Sequence, residues 1–205
     1  MLEIINLLME LNNCLRGRRS IRKFREKTVE KEKLYEILEA ARWAPSGGND
    51  QPWRFIVISN AVKIEKMKRA VRESLHSKKK NRPNLVRNLR FGTFFNAPVI
   101  ISVCVNLKSA MPLIGNKNVS VTNKLIDNVE IIGTGAAIQN MLLKAHDLGL
   151  GACWCRIDYY KRQKLEDCLG IKKPYALLAN IVLGYPAETP KSERKPLSKI
   201  IEFIK

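Results

Sequence analysis

A chain of 205 residues suffices for one domain and buries roughly 70% of its unfolded surface on folding; 45% hydrophobic content excludes a disordered or fibrous class. Lys and Arg number 37 against 19 Asp and Glu, a formal net charge of +18, which favours phosphate-rich partners (cofactor, nucleic acid or anionic lipid) without choosing among them. Five cysteines without disulfide spacing, and no secretory signal, exclude a disulfide scaffold and predict free thiols in a reducing, cytoplasmic compartment.

In chain order, Met1 to Leu15 is apolar but carries Glu3 and Glu10 and lacks a basic start. It is shorter than the ~20 residues a bilayer span needs, so it predicts a helix packed on its own protein or on a partner subunit, not a membrane segment. Arg18-Arg19-Ser20-Ile21-Arg22 follows. Three guanidinium forks and a hydroxyl suit a phosphate or a planar anion, and the alternative is a basic linker between helices. Leu34, Ile37, Leu38, Ala41 and Ala44 recur at helical spacing, with Thr28 as the expected N-cap and Pro45 as the stop. The turn from Ala44 to Trp53 then offers neutral amides.

Arg54 to Ile58 reads as a strand and 61–75 as a helix. From Lys63 to Arg90 the chain collects eleven Lys and Arg, but no aromatic residue lies between Phe55 and Phe91. A solvated surface is expected there, since nucleic-acid recognition interleaves aromatics with its charges. Pro98 to Val105 is a continuous apolar run typical of a strand buried on both faces. A long helix is expected from about Asp127 to Leu148, closed by Gly149. Its Gly133, Gly135, Ala136 and Ala137 should let a neighbouring helix approach.

A strand at Gly151 to Cys155 follows, where Cys153-Trp154-Cys155 reads as core packing in preference to thiol redox chemistry. A helix at Tyr159 to Leu169 and a strand at Tyr175 to Leu183 complete the alternation, which points to an α+β or α/β domain, a central sheet flanked by helices. Residues 186–205 form an arm whose Ile200, Ile201, Phe203 and Ile204 are too apolar to stay in water and should dock elsewhere. The whole of 1–205 reads as one domain, with 1–15 as an N-terminal helix and 186–205 as the C-terminal arm. The two histidines, His76 and His146, lack metal-ligand spacing, and no G-x-S-x-G, phosphate-loop or dinucleotide fingerprint occurs.

The pairing of R-R-S-x-R with A-P-S-x-x-N-x-Q-P-W resembles the nitroreductase family of FMN-dependent oxidoreductases. Further matches are Asn96-Ala97-Pro98, Gly135 to Leu143, Gly149 to Trp154, Leu183 to Glu188 and Arg194-Lys195-Pro196. The resemblance implies an α+β fold with a mostly antiparallel sheet, an intertwined homodimer with a C-terminal arm, FMN as cofactor and NADH or NADPH as co-substrate. It assigns Arg18, Arg19, Ser20 and Arg22 to the flavin phosphate and pyrimidine edge, with Arg22 tuning the flavin's potential. Asn49 would bond the ring edge, Pro45 and Ser46 would reach the flavin of the other subunit, and Gln51 and Trp53 would hold the turn. Backbone N–H groups of Cys155 and Arg156 would face flavin N5 and O4; Arg194 and Lys195 would close on the phosphate.

No catalytic side chain and no metal is implied. Hydride from NAD(P)H would pass by way of the flavin to a small acceptor such as a nitroaromatic or quinone, in a ping-pong cycle. Lys78 to Phe95 and Lys108 to Lys124 are the expected cover that selects the acceptor. The alternative is a basic protein that binds nucleic acid or another polyanion on a flavoprotein-like scaffold.

Overall fold

A computed structural model of the chain describes residues 11–76, 97–106, 129–156 and 159–204. Both expected cover segments, the first ten residues, Asn96 and the basic stretch beyond His76 lie outside the described residues, as does the side chain of Arg156.

After a helical segment over 11–17, the order is α1 (Lys31–Arg42), β1 (Trp53–Ile58), α2 (Ala61–His76), β2 (Val99–Asn106), α3 (Val129–Asp147), β3 (Gly151–Arg156), α4 (Tyr159–Leu169) and β4 (Tyr175–Gly184). Every expected strand and helix among these residues forms. The four strands make one sheet in the order β1-β2-β4-β3, with every pair antiparallel. This resolves the open choice between α+β and α/β in favour of α+β.

Alternation along the strands builds two cores. Val99, Ile101 and Val103 of β2 face α1 and α3, while Ile100 and Cys104 face α2 and α4. In α1, Leu34, Ile37 and Ala41 recur at the spacing that puts one face down, and Ile37 is 1% exposed. Burying a side chain of that size contributes about 1.5–3 kcal/mol. The two central strands are buried on both faces, as the apolar run at Pro98 to Val105 predicted. One polar pair interrupts this layer: Ser102 Oγ donates to Asn180 Oδ1 at 2.6 Å, with both residues essentially inaccessible.

Three local expectations change. Thr28 does not cap α1; Glu30 occupies that position without a side-chain bond. The helix ends at Arg42, before Pro45 could stop it, because Trp43 and Ala44 turn out of helical geometry. Gly133 meets a turn instead of a helix: a Cβ there would lie 3.3 Å from Ser46 Cβ and 3.4 Å from the Pro45 carbonyl. Gly149 does end α3. It sits at φ +73, and the N–H groups of Gly149 and Leu150 donate to the carbonyls of His146 and Ala145, the paired bonds of a glycine-terminated helix. Among the described residues no helix is long and apolar enough to cross a membrane.

Candidate flavin site

The basic block is fastened along the outer edge of the sheet. Ser20 forms a parallel bridge with Ala152 of β3, and the Ile21 N–H donates to the Ala152 carbonyl at 3.0 Å. Gly151 makes that approach possible, since a Cβ on it would lie 2.7 Å from Ile21 side-chain atoms. Further on, Phe24 bridges Pro186, the Arg25 N–H donates to the Tyr185 carbonyl at 2.9 Å, and the Ala187 N–H donates to the Lys23 carbonyl at 2.9 Å. Glu188 Oε1 accepts from the N–H groups of both Arg22 and Lys23. Residues 20–25 are thus held by backbone hydrogen bonds to β3 and to the chain after β4, with Ile21 buried, Phe24 packed on the second core and Arg25 Nε donating to the Pro186 carbonyl.

Those side chains divide in use. Arg18, Arg19 and Ser20 are half-buried, and Arg22 is exposed. Arg19 Nη1 donates to the carbonyls of Arg16 and Arg18, so it braces the backbone. Arg22 Nη1 donates to the Ser20 carbonyl at 3.3 Å, and its charge also reaches the Cys153 and Cys155 thiols. The Cys153 thiol donates to the Trp154 carbonyl, with sulfur and oxygen 3.9 Å apart. The neighbouring Cys155 thiol, with the Arg22 charge and the Ser20 hydroxyl, outweighs burial and pulls the Cys153 thiol down to about 7, while Cys153 and burial push the Cys155 thiol up. Cys153 belongs to the second core, as the packing reading expected, and Cys155 packs against that core from its margin.

The second block is a strained turn. Gly47–Asn49 forms a single 3-10 turn with Gly48, Asn49 and Gln51 all at positive φ. Ser46 holds it together: its carbonyl accepts from the Asn49 N–H at 3.0 Å and its Oγ from the Gln51 N–H at 3.0 Å. Gln51 Nε2 adds a bond to the Asn49 carbonyl at 3.2 Å, which gives Gln51 the loop-holding place expected of it. The first turns of α3 lie underneath. Gly133 abuts Pro45 and Ser46, and among the described residues a Cβ added at Gly135 would meet the Trp154 ring, at 3.8 Å.

One chain does not bring the two blocks together. The turn precedes Trp53, which pairs with Val105 on the β1 edge, whereas Ser20 lies beside Ala152, which pairs with Leu183 and through it Val99 on the β3 edge. Three strand spacings separate the edges, about 14 Å, and six residues of β2 add about 20 Å along the strands. Arg194 and Lys195 sit in an exposed arm, where Arg194 Nη1 donates to Ser192 Oγ and the Glu193 carbonyl. Glu188 and Gly151 were not singled out from the sequence as site residues, although both stand inside motifs that were: Leu183 to Glu188 and Gly149 to Trp154.

The nitroreductase family model matches residues 15–185. The chain belongs to the nitroreductase family. It is 30% identical over 189 residues to a Methanothermobacter thermautotrophicus protein that carries a provisional NADH dehydrogenase/NAD(P)H nitroreductase name, covering 89% of this chain and 80% of that one. Among solved structures it resembles a BluB-like flavoprotein from Clostridium difficile 630, with a TM-score of 0.79 and 28% identity over 95% of this chain and 99% of the other. It also resembles a nitroreductase with bound FMN from Desulfitobacterium hafniense, with a TM-score of 0.73 and 25% identity over 96% and 98% of the two chains. As a nitroreductase-family member the chain is an oxidoreductase.

Proposed function

We propose that this chain is an FMN-dependent oxidoreductase that takes hydride from NADH or NADPH and reduces a nitroaromatic, quinone or similar small acceptor by a ping-pong cycle. The observation that carries the reading is the edge-fastened basic block. Ser20 and Arg22 lie on backbone held from both β3 and the chain after β4, and Arg18 ends the helical segment just before them, its N–H on the Cys14 carbonyl. This donor set fits a phosphate monoester, which carries about −1.5 to −2 charges near neutrality and binds guanidinium forks well.

FMN, when bound, supplies the hydride-accepting and electron-donating chemistry. The chain's own work is binding and electrostatics. Arg18, Arg19 and Ser20, joined by Arg194 and Lys195 from the arm, would hold the phosphate. Arg22 would set a fixed positive charge by the pyrimidine edge, and the N–H groups of Cys155 and Arg156 would orient the ring. Gly133 lets the Pro45–Ser46 turn pack directly on α3.

We propose further that the working form is a homodimer in which Pro45, Ser46 and Asn49 serve the flavin of the other subunit. The diagonal separation of the two blocks within one chain supports this, as does the arm, whose Leu197, Ile200, Phe203 and Ile204 are 65%, 65%, 83% and 92% exposed. A cytoplasmic location is part of the same proposal. The test is direct: the purified protein should carry FMN, and NAD(P)H should bleach it. A colourless protein that neither binds FMN nor oxidises NAD(P)H would overturn the proposal.

A further inference from the structure

We propose that Tyr185 is a positioning residue of the flavin site: its hydroxyl anchors the chain after β4, and that chain sets where the basic block presents its charges. The inference rests on the flavin reading and adds to it a residue that acts through others. Tyr185 directly follows β4, which ends at Gly184, and is half-buried against the first core. Its hydroxyl donates to the Glu30 carboxylate, whose oxygens lie at 2.7 and 2.8 Å, and accepts from Lys33 Nζ at 3.0 Å. Lys33 Nζ also donates to the Leu148 carbonyl at 3.2 Å. One phenol thus ties the end of β4 to the cap and first turn of α1 and, through Lys33, to the end of α3.

The ring is engaged as well as the hydroxyl. Lys27 Nζ lies 4.0 Å from its centroid and Lys33 Nζ 5.0 Å, both within cation–π range. The Tyr185 bond holds the Glu30 carboxyl below its ordinary range and the Lys33 ammonium above its own, so both partners stay charged near neutrality and their bonds are of the stronger, charge-assisted kind. From this anchor the chain meets the basic segment residue by residue. The Tyr185 carbonyl accepts the Arg25 N–H, Pro186 bridges Phe24, the Ala187 N–H donates to the Lys23 carbonyl, and Glu188 Oε1 accepts from Arg22 and Lys23. Only Pro186 and Ala187 stand between the anchored phenol and Glu188.

A displaced phenol therefore displaces the backbone of Arg22. With Arg22 as the fixed positive charge by the flavin's pyrimidine edge, the anchor governs two quantities: how firmly FMN is retained, and how strongly the anionic reduced flavin is favoured. The second is a flavin potential, which a loss of global stability alone does not move. Tyr185→Phe isolates the anchor, because it keeps the ring, its packing and the cation–π contacts and removes only the bonds to Glu30 and Lys33. Glu30→Ala removes the same bond from the other side.

The test compares the full-length chain with Tyr185→Phe, Glu30→Ala, the double variant, and Ser102→Ala as a control that strikes the core far from the anchor. FMN affinity, the flavin midpoint potential, and amide exchange at Arg22, Lys23 and Arg25 are measured in each. Tyr185→Phe and Glu30→Ala should each weaken FMN binding about two- to tenfold, lower the potential and speed exchange at the three amides. The double variant should be little worse than either, since both remove one bond, and Ser102→Ala should leave all three measurements as in the wild type. Wild-type affinity, potential and exchange in Tyr185→Phe would overturn the proposal, as would a Ser102→Ala protein that shows the same losses. Should Tyr185→Phe fail to fold, Glu30→Ala, on an exposed side chain, decides by the same readings. A wild-type chain that never binds FMN overturns the flavin reading, while amide exchange still decides the anchor.

Discussion

Glu188 Oε1 accepts the backbone N–H of Arg22 across 166 positions of sequence, and the neighbouring Lys23 N–H reaches the same oxygen at 3.1 Å. An acidic residue thereby holds the backbone of a basic block. Replacing Glu188 by Ala should release residues 22–23 while the sheet stays folded. Losing such bonds costs about 1–2 kcal/mol, so FMN retention should weaken roughly five- to thirtyfold if that loss is felt at the ligand. Glu188→Gln keeps an acceptor and should lose less. Equilibrium dialysis of FMN against the two variants checks the order; equal affinity in all three proteins would remove Glu188 from the site.

Gly151 tests the same segment from the strand side. Its hypothetical Cβ collides with branched-stem atoms of Ile21, which cannot swing away as a flexible chain end could. Gly151→Ala should therefore push residues 20–24 off the edge and destabilise the fold by about 1–3 kcal/mol. Gly135→Ala, with its nearest neighbour at 3.8 Å, should leave stability close to wild type. Denaturant unfolding of both proteins separates the cases.

How much of this could be read from the chain follows from which residues act through local pattern. The strands and helices did, because period-2 and period-3.6 burial is a local signal: Val99 to Val105 and Leu34, Ile37 and Ala41 fell where the pattern put them. The basic block and the turn were legible as donor sets. Their separation across the sheet was not, since strand order depends on contacts between distant segments. Glu188 was hidden for the same reason: nothing near position 188 says that it will meet Arg22. Thr28 stands two positions before the residue that occupies the cap, Glu30, and capping preference alone does not place the start of α1, where Val29 between them is buried in the first core.

The Ser102–Asn180 pair predicts a stability effect remote from the site. Ser102→Ala strands Asn180 Oδ1 in a dry layer and should cost about 1–3 kcal/mol. The double variant Ser102→Ala with Asn180→Leu removes both partners and should recover part of that loss. Chemical denaturation of the single and double variants provides the comparison.

Cys153 supplies a pH prediction. Its thiol is drawn from 9.0 to about 7, by the neighbouring Cys155 thiol first and by the Arg22 charge and the Ser20 hydroxyl after it. Alkylation of Cys153 by iodoacetamide should rise with a midpoint near 7, and Arg22→Gln should move that midpoint upward. The folded value lies below the unfolded one, so the thiolate contributes stability that is present above about 9 and lost as pH falls through about 7. A midpoint at 9.0 in the folded protein would contradict the arrangement.

The central claim is that the edge-fastened basic block serves a flavin that exchanges electrons with NAD(P)H. Its most direct measurement is the visible spectrum of the FMN-loaded protein under anaerobic conditions, followed through addition of NADPH or NADH and then of a quinone. The account predicts loss of the oxidised-flavin band with the nucleotide, its return with the quinone, and weakened FMN retention in Arg18→Ala and Arg194→Ala. A band that NADH and NADPH both leave unchanged, or full FMN occupancy in both variants, would contradict it.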